Sequence, residues 1–166
     1  MTVDPQEFRS IAGQFATGVT VITAADGDLL QGMTANAFTS VSLDPVMILV
    51  CIDKGSHTHR VLEAGRAFTV NMLASHQEDV SRVFAKRAEP EPGSLRGVPF
   101  RIGETGAPIL EDCLAWLECR IADVLSAGDH SIFLGQVVNE GVVRNAEPLL
   151  FFRGKYHSLA ESSQAG

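Results

Sequence analysis

Apolar and polar positions along this chain follow two periods, and the switch between them marks its elements. Phe8, Ile11, Ala12 and Phe15 recur at three- and four-residue spacing, one face of a helix. Asp4 suits the cap of that helix, Pro5 its first position, Glu7 completes a capping box, and Gly18 is its expected end. Val19 to Thr23 is β-branched throughout and reads as a strand. Asp26-Gly27-Asp28 is a turn, and Leu29 to Phe38 is the return strand of a hairpin. Asp44-Pro45 then opens a continuous apolar run, Val46 to Ile52, read as a buried strand. Ser56 caps a short helix, His57 to Ala64, closed by Gly65. Ala67 to Leu73 alternates with period two. Ser75 and Glu78 make a second capping box before a helix striped by Val80, Val83 and Phe84. Glu89 to Gly93 reads as loop, and the segment from there to Pro108 carries little pattern. Cys113 to Ser126 predicts a long strand, Ala127-Gly128-Asp129 a turn, and His130 to Val143 the partner strand. A last hairpin, Leu149 to Phe152 and Lys155 to His157, turns at Arg153-Gly154.

Strands dominate and hairpins join most of them. The expected class is mainly β with short helices, a closed antiparallel barrel rather than a doubly wound sheet. A chain of 166 residues suits one domain, taken as 1–160, with a flexible tail over 161–166. Its 45% hydrophobic and 20% charged residues are ordinary for a globular protein. The net charge of −7 argues against binding nucleic acid or an anionic membrane. No apolar run approaches the ~20 residues of a membrane-spanning helix. Residues 1–7 lack the basic start and apolar centre of a signal peptide, so a cytoplasmic protein is expected. Three cysteines, an odd number, read as reduced thiols. Cys113 and Cys119, six apart in one predicted strand, would lie roughly 20 Å apart and cannot pair.

The chemistry centres on Gly32 to Ser42, where Thr34, Asn36, Thr39, Ser40 and Ser42 stand among small residues with no charge. Such hydroxyls and amides either bond their own backbone or form a wall for a flat, neutral, hydrogen-bonding ligand. The pattern alone leaves both open. Gly27 and Gly32 have phosphate-loop spacing, but Met33-Thr34 stands where Lys-Ser/Thr is needed. Neither Gly-x-Gly-x-x-Gly nor Gly-x-Ser-x-Gly occurs. His57-x-His59 has no acid or cysteine cluster with it and reads as a surface pair. Ser56 caps a helix, a place that also holds anions. Lys86 and Arg87 follow a helix end, where cations are favourable with or without a ligand. His130 opens the longest strand pair, either bonded to Asp129 or free to meet a ligand.

Taken together, Phe15 to Thr23, Gly32 to Ser42, Asp44-Pro45, Phe68 to Leu73, Phe84-Ala85, Gly128 to Ile132 and Pro148 to Phe151 resemble the flavin reductase family over about Phe8 to Leu159. No one segment is specific; their order and spacing are. The resemblance implies a split β-barrel homodimer that uses FAD or FMN and NADH or NADPH and hands reduced flavin to a flavin-dependent monooxygenase. It implies that Met33, Thr34, Ala35, Asn36, Thr39 and Ser40 line the isoalloxazine and ribityl chain. Cys51, Ile52, Asp53, Ser56 and Thr58 would follow toward the phosphate, with Lys86 and Arg87 as its cations. His130, Phe152 and Tyr156 would border the nicotinamide. Hydride transfer between two bound cofactors asks for no protein acid or base, so no catalytic residue is assigned. Two other readings are a pyridoxine-phosphate oxidase-like enzyme, whose substrate phosphate would call for more Arg and Lys than this chain has, and a non-catalytic flavin- or haem-binding module.

Overall fold

The structure is a computed structural model and describes residues 2–159; the tail expected over 161–166 lies outside them. Helix α1 (Pro5–Ala12) leads into β1 (Thr17–Gly18), β2 (Thr20–Asp26), β3 (Leu29–Ala35), β4 (Phe38–Leu43) and β5 (Val46–Asp53). Then come α2 (His57–Gly65), β6 (Ala67–Met72), α3 (Glu78–Ala85) and the short strands β7 (Glu91–Pro92), β8 (Phe100–Ile102) and β9 (Pro108–Leu110). The long pair β10 (Ala115–Ala127) and β11 (His130–Val142) and the hairpin β12 (Leu150–Phe152) and β13 (Lys155–His157) complete the chain.

Eight strands form one antiparallel sheet in the order β4-β5-β11-β10-β6-β2-β3-β7. Alternation along β2 explains why both faces are covered. Ile22 and Ala24 enter a core with Val50, Ile52, Leu62, Phe68 and Phe133, whereas Val21 enters a second with Leu30, Leu73, Phe84, Leu95 and Leu149. Asn71 on β6 ties the neighbouring strand β2 to β9 of the separate two-stranded sheet. Its Nδ2 donates to the Val21 carbonyl and to Thr23 Oγ1, both at 3.0 Å, and its Oδ1 accepts from Leu110 N at 2.9 Å. A buried amide with three bonds is satisfied.

The outer strands β4 and β7 do not pair, so the barrel is split rather than closed. Other expectations shift as well. Helix α1 ends at Gly13, not Gly18, because Thr17 and Gly18 pair with Phe151 and Leu150. The Leu29–Phe38 run is broken at Asn36-Ala37, since β3 pairs with β2 and β4 with β5. The Ser75–Glu78 capping box does not form. Gln77 precedes α3, and its side chain instead bonds Ala74 N and the Asp112 carbonyl. Cys113 lies ahead of β10, not in it, and both it and Cys119 are buried. Glu91-Pro92, read as loop, pairs with Leu29-Leu30, and the weakly patterned segment folds as the β8–β9 hairpin. Among the described residues, no helix is long and apolar enough to cross a membrane.

Candidate functional site

One short segment borders three cavities in succession. Gln31, Gly32 and Met33 line a cavity of about 190 Å³, Thr34, Ala35 and Asn36 one of about 250 Å³, and Asn36 to Thr39 one of about 680 Å³. Asn36 belongs to both larger cavities, and Ala85 to both smaller ones. The result is an elongated groove along the C-terminal half of β3 and the turn after it. Small side chains let a ligand approach the backbone closely. Gly32 serves a different fit: a Cβ there would stand 2.6 Å from the buried Phe84 ring that lines the smallest cavity.

The hydrogen bonds separate two kinds of polar residue. Thr34 Oγ1 donates to the Ser81 carbonyl at 2.6 Å, so its hydroxyl is committed to the fold. The Asn36 side chain is exposed and makes no hydrogen bond among the described residues, which leaves its donor and acceptor free at the junction of two cavities. Thr39 and Ser40 are exposed on the edge strand β4; Thr39 lines the largest cavity and Ser40 none of the three. Cys51 is half-buried on the wall of that cavity. The Ile52 side chain is fully buried in the core, so only its backbone can reach a ligand.

The smallest cavity lies between the start of α2 and the end of α3. Ser56 Oγ accepts from His59 N at 3.1 Å, the expected cap, which leaves the amides of His57 and Thr58 without intrahelical partners. Asp53, Ser56, Thr58, Lys86 and Arg87 all line this cavity. Arg87 donates to the Gly55 carbonyl, drawing the end of α3 onto the loop before α2, while Lys86 stays exposed. Among the described residues Asp53 is the one carboxylate on the wall, and it accepts from Gly55 N at 2.7 Å.

His130 sits opposite Asp53 in the β11–β5 register and lines none of the three cavities within one chain. Its Nδ1 bonds Asp129 at 2.7 Å, and that bond holds the Asp129 carboxyl below the usual carboxylate range. Tyr156 lines the middle cavity, and its hydroxyl meets Ser81 Oγ at 2.7 Å beneath the Arg82 guanidinium. Phe152 lies outside the groove, stacked against Arg153. His59, expected at the surface, is buried, with Nε2 2.8 Å from Ser131 Oγ and the ring edge-on to Phe133. Sequence reasoning missed Thr17 and Leu149, which wall the largest cavity, and Gln31 and Arg96, which wall the smallest. Thr17 had a signal, since it lies in the Phe15–Thr23 segment; Arg96 had none.

Residues 12–160 match the model of the flavin reductase like domain. The chain belongs to the flavin reductase-like family. It is 40% identical over 159 residues to the reductase subunit HsaB of a flavin-dependent monooxygenase from Mycobacterium tuberculosis, covering 95% of this chain and 83% of that one. It is 39% identical over 170 residues to an NADH-dependent FAD reductase of Streptomyces globisporus, covering 99% and 92%. Among solved structures it resembles the flavin reductase PheA2 in its native state, with TM-score 0.86, 40% identity and coverage of 96% and 100%. It also resembles the Streptomyces globisporus NADH:FAD oxidoreductase SgcE6 in complex with NAD and FAD fragments, with TM-score 0.87, 37% identity and coverage of 99% of both chains. This flavin reductase-like chain is therefore an oxidoreductase of flavin and nicotinamide on a split-barrel fold, as the sequence implied.

Proposed function

We propose that the groove beside β3 receives the flavin, and that NADH or NADPH reduces it there for release to a partner monooxygenase. The observation that carries this is the single segment, Gln31 to Thr39, that borders all three cavities in order. An elongated ligand with a flat polar ring at one end and an anion at the other matches that sequence of walls. Met33 to Asn36, Thr39 and Ser40 would meet the ring and ribityl chain. Asn36 has its amide free for a ring edge. Cys51 and the backbone of Ile52 would continue the wall toward Asp53. The first-turn amides of α2, with Ser56, Thr58, Lys86 and Arg87, would take the phosphate of FAD or FMN, since a helix N-terminus beside two cations favours an anion. His130, Phe152 and Tyr156 would border the nicotinamide.

The bound flavin supplies the redox chemistry, accepting hydride from the nicotinamide. The protein's part is to hold two flat rings in register and to keep water out. His130 keeps Nε2 free to orient the nucleotide while Asp129 fixes Nδ1. None of the groove side chains has to exchange a proton for the transfer itself.

A second copy of the chain would complete the groove. Helix α1 buries none of its residues, and Phe8, Ile11 and Phe15 are each more than 60% exposed. An amphipathic helix with its apolar face in water needs a partner surface. Phe15 and Ala12 also line the largest cavity, so a homodimer across this face would roof it. The three free cysteines accord with a cytoplasmic setting. The deciding experiment is NADH and NADPH oxidation assayed with FAD, FMN and neither. A rate that requires added flavin is expected; no flavin-dependent rate with either nucleotide would refute the reading.

A further inference from the structure

One wall of the smallest cavity is unfavourable to an anion. A helix C-terminus carries about half a negative charge on its free carbonyls, and α3 ends on this cavity wall. An anion entering would face those carbonyls. Arg96 answers them. Its Nη1 donates to the carbonyls of Val83 at 2.8 Å and Lys86 at 2.7 Å. Its Nη2 donates to Gln31 Oε1 at 3.1 Å and reaches the Gly32 carbonyl at 3.4 Å. Its guanidinium lies 5.5 Å from the centre of the Phe84 ring. Gln31, itself buried, donates to the Ala88 carbonyl at 2.8 Å, so the two side chains together fasten residues 83–88 to β3.

Counting donors shows what Arg96 can do. Guanidinium has five N–H groups. Four are spent on these acceptors, and the fifth, on Nε, is buried without a partner. Arg96 therefore has no exposed donor left for a ligand. Its backbone is left-handed, φ 52°, an uncommon state for a non-glycine residue. Burial pulls the guanidinium below its ordinary pKa, with Glu91 opposing.

We infer that Arg96 is a positioning residue for the flavin phosphate: it neutralises the carbonyl end of α3 and fixes the Lys86-Arg87 segment so that the cavity selects phosphorylated flavins. The inference rests on reading this cavity as the phosphate subsite. Arg96 acts through the helix end and through Lys86 and Arg87, never by contact.

Riboflavin has the ring and ribityl chain but no phosphate, so the ratio of riboflavin to FMN dissociation constants isolates the subsite. The measurement is flavin titration of the wild type, Arg96→Gln and Arg96→Lys, with KM and kcat for both flavins alongside. The wild type should prefer FMN. Arg96→Gln should cut that preference about tenfold, the scale of one favourable charge at a partly buried helix end, and the loss should fall on FMN far more than on riboflavin. Arg96→Lys keeps the charge but has three donors on a single nitrogen, and should lose on the order of threefold. An unchanged preference in either variant, or an equal loss for both flavins, overturns the inference. If Arg96→Gln does not fold, Arg96→Lys alone decides on the same terms. A wild type with no preference for FMN would instead sink the assignment of the cavity, and the role of Arg96 with it.

Discussion

Asn36→Ala separates the ligand wall from the fold more cleanly than any other change in the groove. Thr34 and Asn36 are two residues apart, yet the structure gives them opposite duties. The Thr34 hydroxyl is bonded to Ser81 at 2.6 Å, whereas the Asn36 amide is exposed and unbonded among the described residues. Removing the Asn36 amide takes no internal hydrogen bond away, so stability should stay within about 0.5 kcal/mol of wild type. If the amide bonds the flavin, its loss should cost about 1–1.4 kcal/mol, a five- to tenfold rise in the flavin dissociation constant. Thr34→Val is the matching control. It removes one internal bond worth about 1 kcal/mol, so the melting temperature should fall by about 2–4 °C in a domain of this size. Fluorescence titration with FAD and FMN beside thermal melting gives both quantities from one preparation. Asn36→Ala with unchanged flavin affinity, or with a lowered melting temperature in its place, would refute the placement of the ring against this turn.

Four further outcomes are expected. Asn71→Leu strands the Leu110 amide and breaks three buried bonds, so the urea midpoint should drop by the equivalent of about 3 kcal/mol. Burial pushes the Cys113 thiol up to about 11 and Cys119 up to about 12. A disulfide reagent at pH 7 should thus label only Cys51 in the native protein and all three thiols after unfolding, and FAD should slow the first reaction. His76 and Arg144 hold the Asp112 carboxyl below the usual range. Their contribution, no more than about 1 kcal/mol in a half-exposed cluster, is present above the ordinary carboxylate pKa and lost as pH falls through the lower folded value. The melting-temperature gap between wild type and Asp112→Asn should accordingly be open at pH 7 and close below about pH 4. Phe15→Asp should shift sedimentation at micromolar concentration from dimer to monomer and raise the flavin KM; a dimer unaffected by it would place the interface elsewhere.

Local signals carried much of this molecule. The turns at Gly27, Gly128 and Gly154 all have positive φ and lie where the pattern predicts hairpins. Ser56 caps α2 as its sequence predicts, because the cap and the His59 amide it accepts from are three residues apart, but Gly65, expected to close the helix, is its last residue and the left-handed Arg66, φ 59°, ends it. What escaped was non-local. Arg96 is 65 residues from Gln31 and 64 from Gly32, in a segment whose own strands are three residues long and have no amphipathic pattern of their own. Gln77 takes the N-cap position of α3 without capping it, its side chain bonded instead to Ala74 N and to the carbonyl of Asp112, far along the chain.

The break at Asn36 is the deepest of these. The sequence reads as one return strand from Leu29 to Phe38 because Gly32, which sits inside β3, and Asn36 are the only breaks in that run and the pattern passes through both. The chain parts there because β3 is held by β2, and β4 by β5, near opposite ends of an eight-strand order. Asn36 and Ala37 must cross that gap, and they can pair with neither side fully. Ala37 still gives its carbonyl to Cys51 N at 3.1 Å, and Asn36 gives its own to Phe38 N at 3.0 Å. Among the described residues the Asn36 side-chain amide has no partner, on a crossing between two cavities where a ligand's polar edge would meet it. In a closed barrel this segment would be a paired strand, its side chains would alternate into core and solvent, and the groove would not be there.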